Sequence, residues 1–200
     1  MFNQYLTDQK INHFEYVLLI LFSILGLFLL CSSDDLLTAY LAIELQSLSF
    51  YVIAAFKKNS TFSVEAGLKY FILGAFSSSL FLFGSSLIYG ISGTINFDDF
   101  KDLYFYDFSE NDLNSFDSTL LQFALVFILV SLFFKLALAP FHVWSPDVYE
   151  GSPSSSTFFF AVVPKIALFV LLLRIFYYSF YNFFNKFFSR ITFFLIFKPK

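Results

Sequence analysis

The chain has 200 residues, of which 58% are hydrophobic, 24% aromatic and only 14% charged, and its mean hydropathy is +0.73. A water-soluble domain carries about 25% charged residues and could not cover so apolar a surface, which places the chain in a membrane. The formal net charge of −3 argues against a nucleic-acid partner, and the single cysteine, Cys31, excludes an internal disulfide and a four-cysteine metal site.

Residues 1–15, which include Asp8, Lys10 and Glu15, form an N-terminal segment without the pattern of a targeting sequence. Crossing a hydrocarbon core of about 30 Å takes about 20 helical residues. Five apolar runs approach or exceed that length, roughly Tyr16 to Cys31, Leu36 to Phe56, Val64 to Tyr89, Leu120 to Ala139 and Thr157 to Tyr178. None alternates apolar and polar residues as a barrel strand must, so helices are the remaining way to pair the backbone in lipid. The expectation is an all-α membrane protein, with one transmembrane domain over 16–180. Residues 181–200, with Lys186 and Arg190, read as an amphipathic C-terminal segment.

The first two runs are joined only by Ser32–Asp35, which makes them antiparallel neighbours. The next connection carries Lys57 and Lys58, and the positive-inside rule puts it on the matrix or cytoplasmic side. The loop over about 92–118 is acidic, with Asp98, Asp99, Asp102, Asp107, Glu110, Asp112 and Asp117 against Lys101, and is expected on the opposite side. Lys186 and Arg190 fall on that side too and vote against the assignment. The fourth run should kink or break at Pro140.

Ionisable residues within such runs are costly and mark function by default. Glu44 lies deep in the second run and would stay neutral unless a cation approached it; its bland alternative is a protonated packing residue. Lys69 follows Glu65 by four positions, so a local helical ion pair competes with a functional role. Lys135 has no acidic residue within a turn, so any partner must come from another helix. Burial disfavours its charged form and a carboxylate restores it. Lys165 follows Pro164, which weakens the fifth helix and frees a carbonyl; snorkelling is its alternative. His142, two residues after Pro140, is the ring that titrates nearest neutral pH, with a structural hydrogen-bonding role as its alternative. No metal cluster, phosphate loop or nucleophile–base pair is present, and His13 and His142 are poor evidence for haem. Acid and base groups alternating through a bilayer describe a proton or cation path, and composition and spacing go no further.

Longer strings carry a resemblance. Leu41–Leu48, Tyr51–Ala55, Glu65–Tyr70 with Gly74–Ser78, Phe134–Pro153 and Val162–Ile166 resemble, in order and spacing, subunit 2 (subunit N in bacteria) of respiratory complex I, over roughly residues 14–178. The resemblance implies a proton-translocating membrane-arm subunit. FMN, iron–sulfur clusters and quinone then belong to other subunits, with no cofactor, metal or catalytic residue in this chain. It implies that Glu44 pairs with Lys135 on the broken helix and that Lys69, His142 and Lys165 lie on the same polar axis. Changes in the Glu44–Lys135 pair would then shift the lysine's proton affinity.

The five helices would form one antiporter-like repeat of an inverted pair. Three N-terminal helices usual in the family and the second repeat are not in this sequence. Because the chain begins with Met1, a split gene is expected, with a second chain supplying the missing repeat. Ser79 stands where the family often has Gly, and Pro153–Thr157 replaces a more apolar stretch.

Expected partners are the other membrane-arm subunits, that second chain and lipids. The 34 phenylalanines, with abundant Tyr, Asn and Lys, suggest an A+T-rich organelle genome. The expected location is therefore the mitochondrial inner membrane, with a bacterial inner membrane as the alternative. Competing readings are a Na+/H+ antiporter or membrane-bound hydrogenase subunit, and a non-conducting structural subunit.

Overall fold

The computed structural model describes residues 14–106 and 115–180. In chain order the helices are α1 (Phe14–Ser32), α2 (Leu36–Ala54), α3 (Thr61–Ser92), α4 (Phe97–Tyr106), α5 (Ser115–Leu136), α6 (Trp144–Gly151) and α7 (Ser154–Leu173). The last passes into a π-helical turn, Arg174–Ser179. Five helices are long and apolar enough to cross a membrane: α1, α2, α3, α5, and α7 with its turn. The N-terminal residues Asp8, Lys10 and His13, and the C-terminal segment 181–200 with Lys186 and Arg190, lie outside the described residues.

Hydrogen bonds fix which ends lie together. Asp35 caps α2 by accepting from the Thr38 amide at 2.6 Å. The same short turn is tied to the α3–α4 connection, since Leu36 N donates to the Ile95 carbonyl at 3.0 Å and Phe97 N to the Asp34 carbonyl at 3.0 Å. Arg174, at the far end of α7, returns to this turn and bonds the Ser33 carbonyl and Asp34. Tyr178 donates to Asp98 at 3.0 Å. At the other end, Ser63 Oγ donates to the Ala54 carbonyl at 2.8 Å, and Tyr16 and Ser155 share a hydroxyl bond at 3.2 Å. So α1, α3 and α7 cross one way, and α2 and the α5–α6 pair cross the other.

The acidic stretch over 92–118 is not wholly a loop. It contains the ten-residue helix α4, on which Phe97 and Phe100 are buried and the carboxylates Asp98, Asp99 and Asp102 face away. Asn96 opens this helix by accepting from the Asp98 amide at 3.1 Å. The density of charge had masked the i, i+3 spacing of the two phenylalanines. Residues 107–114 of that stretch lie outside the described part.

Lipid offers no hydrophobic reward for bringing helices together, so close packing must do it. Gly84 shows how: a Cβ there would sit 2.8 Å from both the Ala124 carbonyl oxygen and Ile128 Cγ1, so α3 and α5 can touch only because it has none. Nearby, Ser131 Oγ of α5 donates to the Ser77 carbonyl of α3 at 2.6 Å. The apolar core falls into two clusters. One, around Leu36, Phe81 and Ile128, fills the end that holds the α1–α2 turn. The other, around Phe50, Trp144 and Phe160, fills the end that holds α6.

Candidate functional site

The fourth crossing is broken, earlier than its proline. α5 ends at Leu136 because Ala137 takes a left-handed conformation, φ 56°, which a non-glycine residue adopts only under tertiary constraint. Pro140 then contributes no amide hydrogen. The carbonyls freed by the break are re-paired locally. Leu138 N donates to the Phe133 carbonyl at 3.0 Å and Ala137 N to the Phe134 carbonyl at 3.2 Å. The Trp144 indole N–H also donates to Phe134, at 2.9 Å. Polar backbone at this depth is tolerated only against protein or a wet cavity; here Trp144 covers the Phe134 carbonyl, and Phe134 and Lys135 line a cavity.

Lys135 occupies the last turn of α5, where the helix dipole favours a cation. The residue lines a narrow cavity of about 30 Å³, room for about two waters. The cavity lies where the two apolar clusters meet. Its polar wall is Gln46, Ser47 and Tyr51 of α2, Tyr70 and Ser77 of α3, Tyr149 of α6 and Lys165 of α7. Pro164, within α7, also lines it. Tyr70 stacks on Trp144 with ring centroids 5.1 Å apart, and Lys165 Nζ sits 5.8 Å above the Tyr149 ring. A Cβ on Gly74 would collide with the Tyr51 phenol, so this glycine leaves room for that hydroxyl at the wall.

The five residues singled out in the sequence separate into two groups. Lys135 and Lys165 share the cavity. Glu44 is close enough to act electrostatically on Lys135, but no direct ion pair joins them, and Glu44 Oε1 and Lys135 Nζ are both buried without a hydrogen bond. Lys69 lies apart, held by Glu65 at 2.9 Å and by Asp147 of α6 at 2.7 Å. The helical pair with Glu65 is therefore present, joined by a second carboxylate. His142 is exposed on this chain and does not line the cavity. Its carbonyl, rather than its ring, accepts from the Ser145 amide and hydroxyl at 3.0 and 2.9 Å.

Sequence reasoning missed three groups. Asp147 bridges α6 to Lys69. Gln46 Oε1 and Tyr149 OH are buried without partners at the cavity wall. A signal existed for each: Gln46 is a second polar residue two positions after Glu44, and both Asp147 and Tyr149 follow the break. Among the described residues no group of His, Cys, Asp and Glu side chains could hold a metal ion.

Known proteins resemble this chain in sequence and fold. The chain is 49% identical over 178 residues to the NADH-ubiquinone oxidoreductase chain 2 of Marchantia polymorpha, covering 89% of this chain and 36% of that relative. It is 49% identical over 179 residues to the NADH-quinone oxidoreductase subunit N of Pelagibacter ubique, covering 90% of this chain and 36% of that one. A chain in the structure of respiratory complex I from Thermus thermophilus superposes with a TM-score of 0.67 at 40% identity, over 81% of this chain and 34% of that one. The chain thus spans about a third of the length of the relatives it matches. With residues 33–197 matching its family pattern and five helices able to cross a bilayer, this multi-pass membrane chain belongs to the transmembrane family of the NADH:quinone oxidoreductases and Mrp antiporters.

Proposed function

We propose that the chain is a proton-translocating part of the membrane arm of respiratory complex I, in the mitochondrial inner membrane, with Glu44, Lys135 and Lys165 as its relay. The observation that carries this reading is the placement of Lys135: at the broken end of α5, with a buried ammonium that has no hydrogen-bond partner, in a residue that lines one cavity with Lys165. Buried polar atoms need partners, and three unpartnered ones, on Gln46, Lys135 and Tyr149, belong to residues that line this one cavity. Water bridging Lys135 to Lys165 would satisfy them and give a proton a route between two amines. In each transfer one N–H bond breaks and one forms, so charge is displaced and nothing is oxidised.

Glu44 acts at a distance in this scheme. Drawing the carboxylate toward Lys135 favours the ammonium, and withdrawing it favours the neutral amine. Electron transfer from NADH to ubiquinone, with its flavin and iron–sulfur centres, takes place in other subunits and drives that displacement. Lys69 and His142 sit outside the cavity and take peripheral roles, Lys69 as the anchor of α6 through Asp147. The other membrane-arm subunits of the complex are its partners in this reading.

The test is Lys135→Met in the assembled complex reconstituted into vesicles. Protons moved per electron should fall sharply, while NADH oxidation by an artificial acceptor at the flavin site survives. Pumping at the parental ratio would make Lys135 structural. Co-migration of NADH dehydrogenase activity with this chain on a blue-native gel separates complex I from a Na+/H+ antiporter or hydrogenase.

A further inference from the structure

A second concavity opens on the outside of the bundle, and Tyr51 lines both it and the lysine cavity. It is a groove of about 480 Å³ between α1, α2 and α3, lined by Leu19, Val52, Ala55, Val64, Leu68 and Phe71, among others. Val52, Val64, Leu68 and Phe71 are exposed on its walls. Among the described residues that line it, the formal charges are Glu15, in the first turn of α1, and Lys58, in the α2–α3 connection. Both stand at helix ends, where lipid head groups lie. Among the described residues neither forms an ion pair, with the other or with a third group.

We propose that this groove binds an aminophospholipid of the ethanolamine class, one acyl chain lying against Val52, Val64, Leu68 and Phe71, the phosphate at Lys58 and the head-group amine at Glu15. The argument is charge complementarity combined with depth. A carboxylate and an ammonium standing apart at the mouth of one apolar groove match the two charges of a zwitterionic head group above an acyl chain. A primary ammonium has N–H donors for the Glu15 carboxylate and a quaternary choline has none. A head group with net negative charge would gain at Lys58 and lose at Glu15. A partner helix, by contrast, would run the length of the groove and would not need opposite charges at one end.

The test uses the assembled complex purified from its native membrane, stripped of loose lipid and extracted for lipid mass spectrometry. The parental complex should retain an ethanolamine phospholipid. Lys58→Ala, Glu15→Ala and Leu68→Trp, which fills the groove, should each lower the retained amount several-fold. After reconstitution in vesicles of ethanolamine, choline or glycerol phospholipids, a photoreactive residue at position 68 should crosslink to the ethanolamine lipid most. Equal retention by all three variants, equal crosslinking of choline lipid, or crosslinking to a polypeptide instead of lipid would each overturn the assignment.

Discussion

The Trp144 indole donates to the Phe134 carbonyl at 2.9 Å, so the helix after the break is moored to the last turn of the helix before it, one residue from Lys135. The same ring stacks on Tyr70 of α3. One side chain therefore sets the position of the cavity lysine relative to two other helices.

Trp144→Phe should test that mooring. It keeps an aromatic ring and removes the donor, leaving the Phe134 carbonyl with one bond fewer. A loss of about 1–2 kcal/mol is expected for a buried acceptor that loses a partner, read as earlier thermal unfolding of the purified complex. The ratio of protons to electrons should also drop, because Lys135 is no longer held. If neither moves, the bond has no part in the break.

The relay reading separates residues that the sequence placed together. Lys165→Met should lose most of the proton flux, since Lys165 lines the cavity with Lys135. His142→Ala should keep more than half, because the His142 ring lies outside it. Equal losses would mean that the proton path does not follow this cavity.

Tyr149→Phe removes a single oxygen and leaves its ring against Phe160, 5.8 Å between centroids. If Tyr149 holds a water between the two lysines, proton flux should fall about tenfold, equivalent to about 1.4 kcal/mol on the barrier. Assembly on a native gel should be unchanged. Gln46→Leu should act in the same direction, and Gln46→Glu should recover part of the flux. Parental flux in Tyr149→Phe would remove the hydroxyl from the path while leaving the role of Lys135 standing.

Helix packing gives a prediction about stability. Gly84→Val would force branched carbon into the Ala124 carbonyl and Ile128, and overpacking of this kind costs about 1–3 kcal/mol. The variant should assemble poorly and unfold earlier. Gly90→Ala, on the same helix where a Cβ would meet nothing within 4 Å, is the control and should behave like the parent.

Much of the fold was legible in the sequence because membrane physics leaves so few choices. Uninterrupted apolar runs in lipid must be helices, and their number fixes the crossings; each of the five was placed to within about five residues at its ends. The break near Pro140 followed from proline chemistry. Its actual start at Ala137 did not, because a left-handed alanine is imposed by surrounding contacts and leaves no trace in residue type. The helix α4 was hidden for the opposite reason, because its described buried residues, Phe97 and Phe100, stand among aspartates.

The ionisable residues themselves were set by the sequence, since a charge inside an apolar run is conspicuous wherever the helices go. Which of them meet is a property of the tertiary structure. Lys135 and Lys165 are 30 positions apart and share a cavity. Lys69 and Asp147 are 78 apart and form an ion pair. Glu44 and Lys135, on α2 and α5, form no direct ion pair. Helix rotation and crossing depth decide such distances, and they are settled by side-chain packing over whole interfaces, such as the approach at Gly84, rather than by any local pattern.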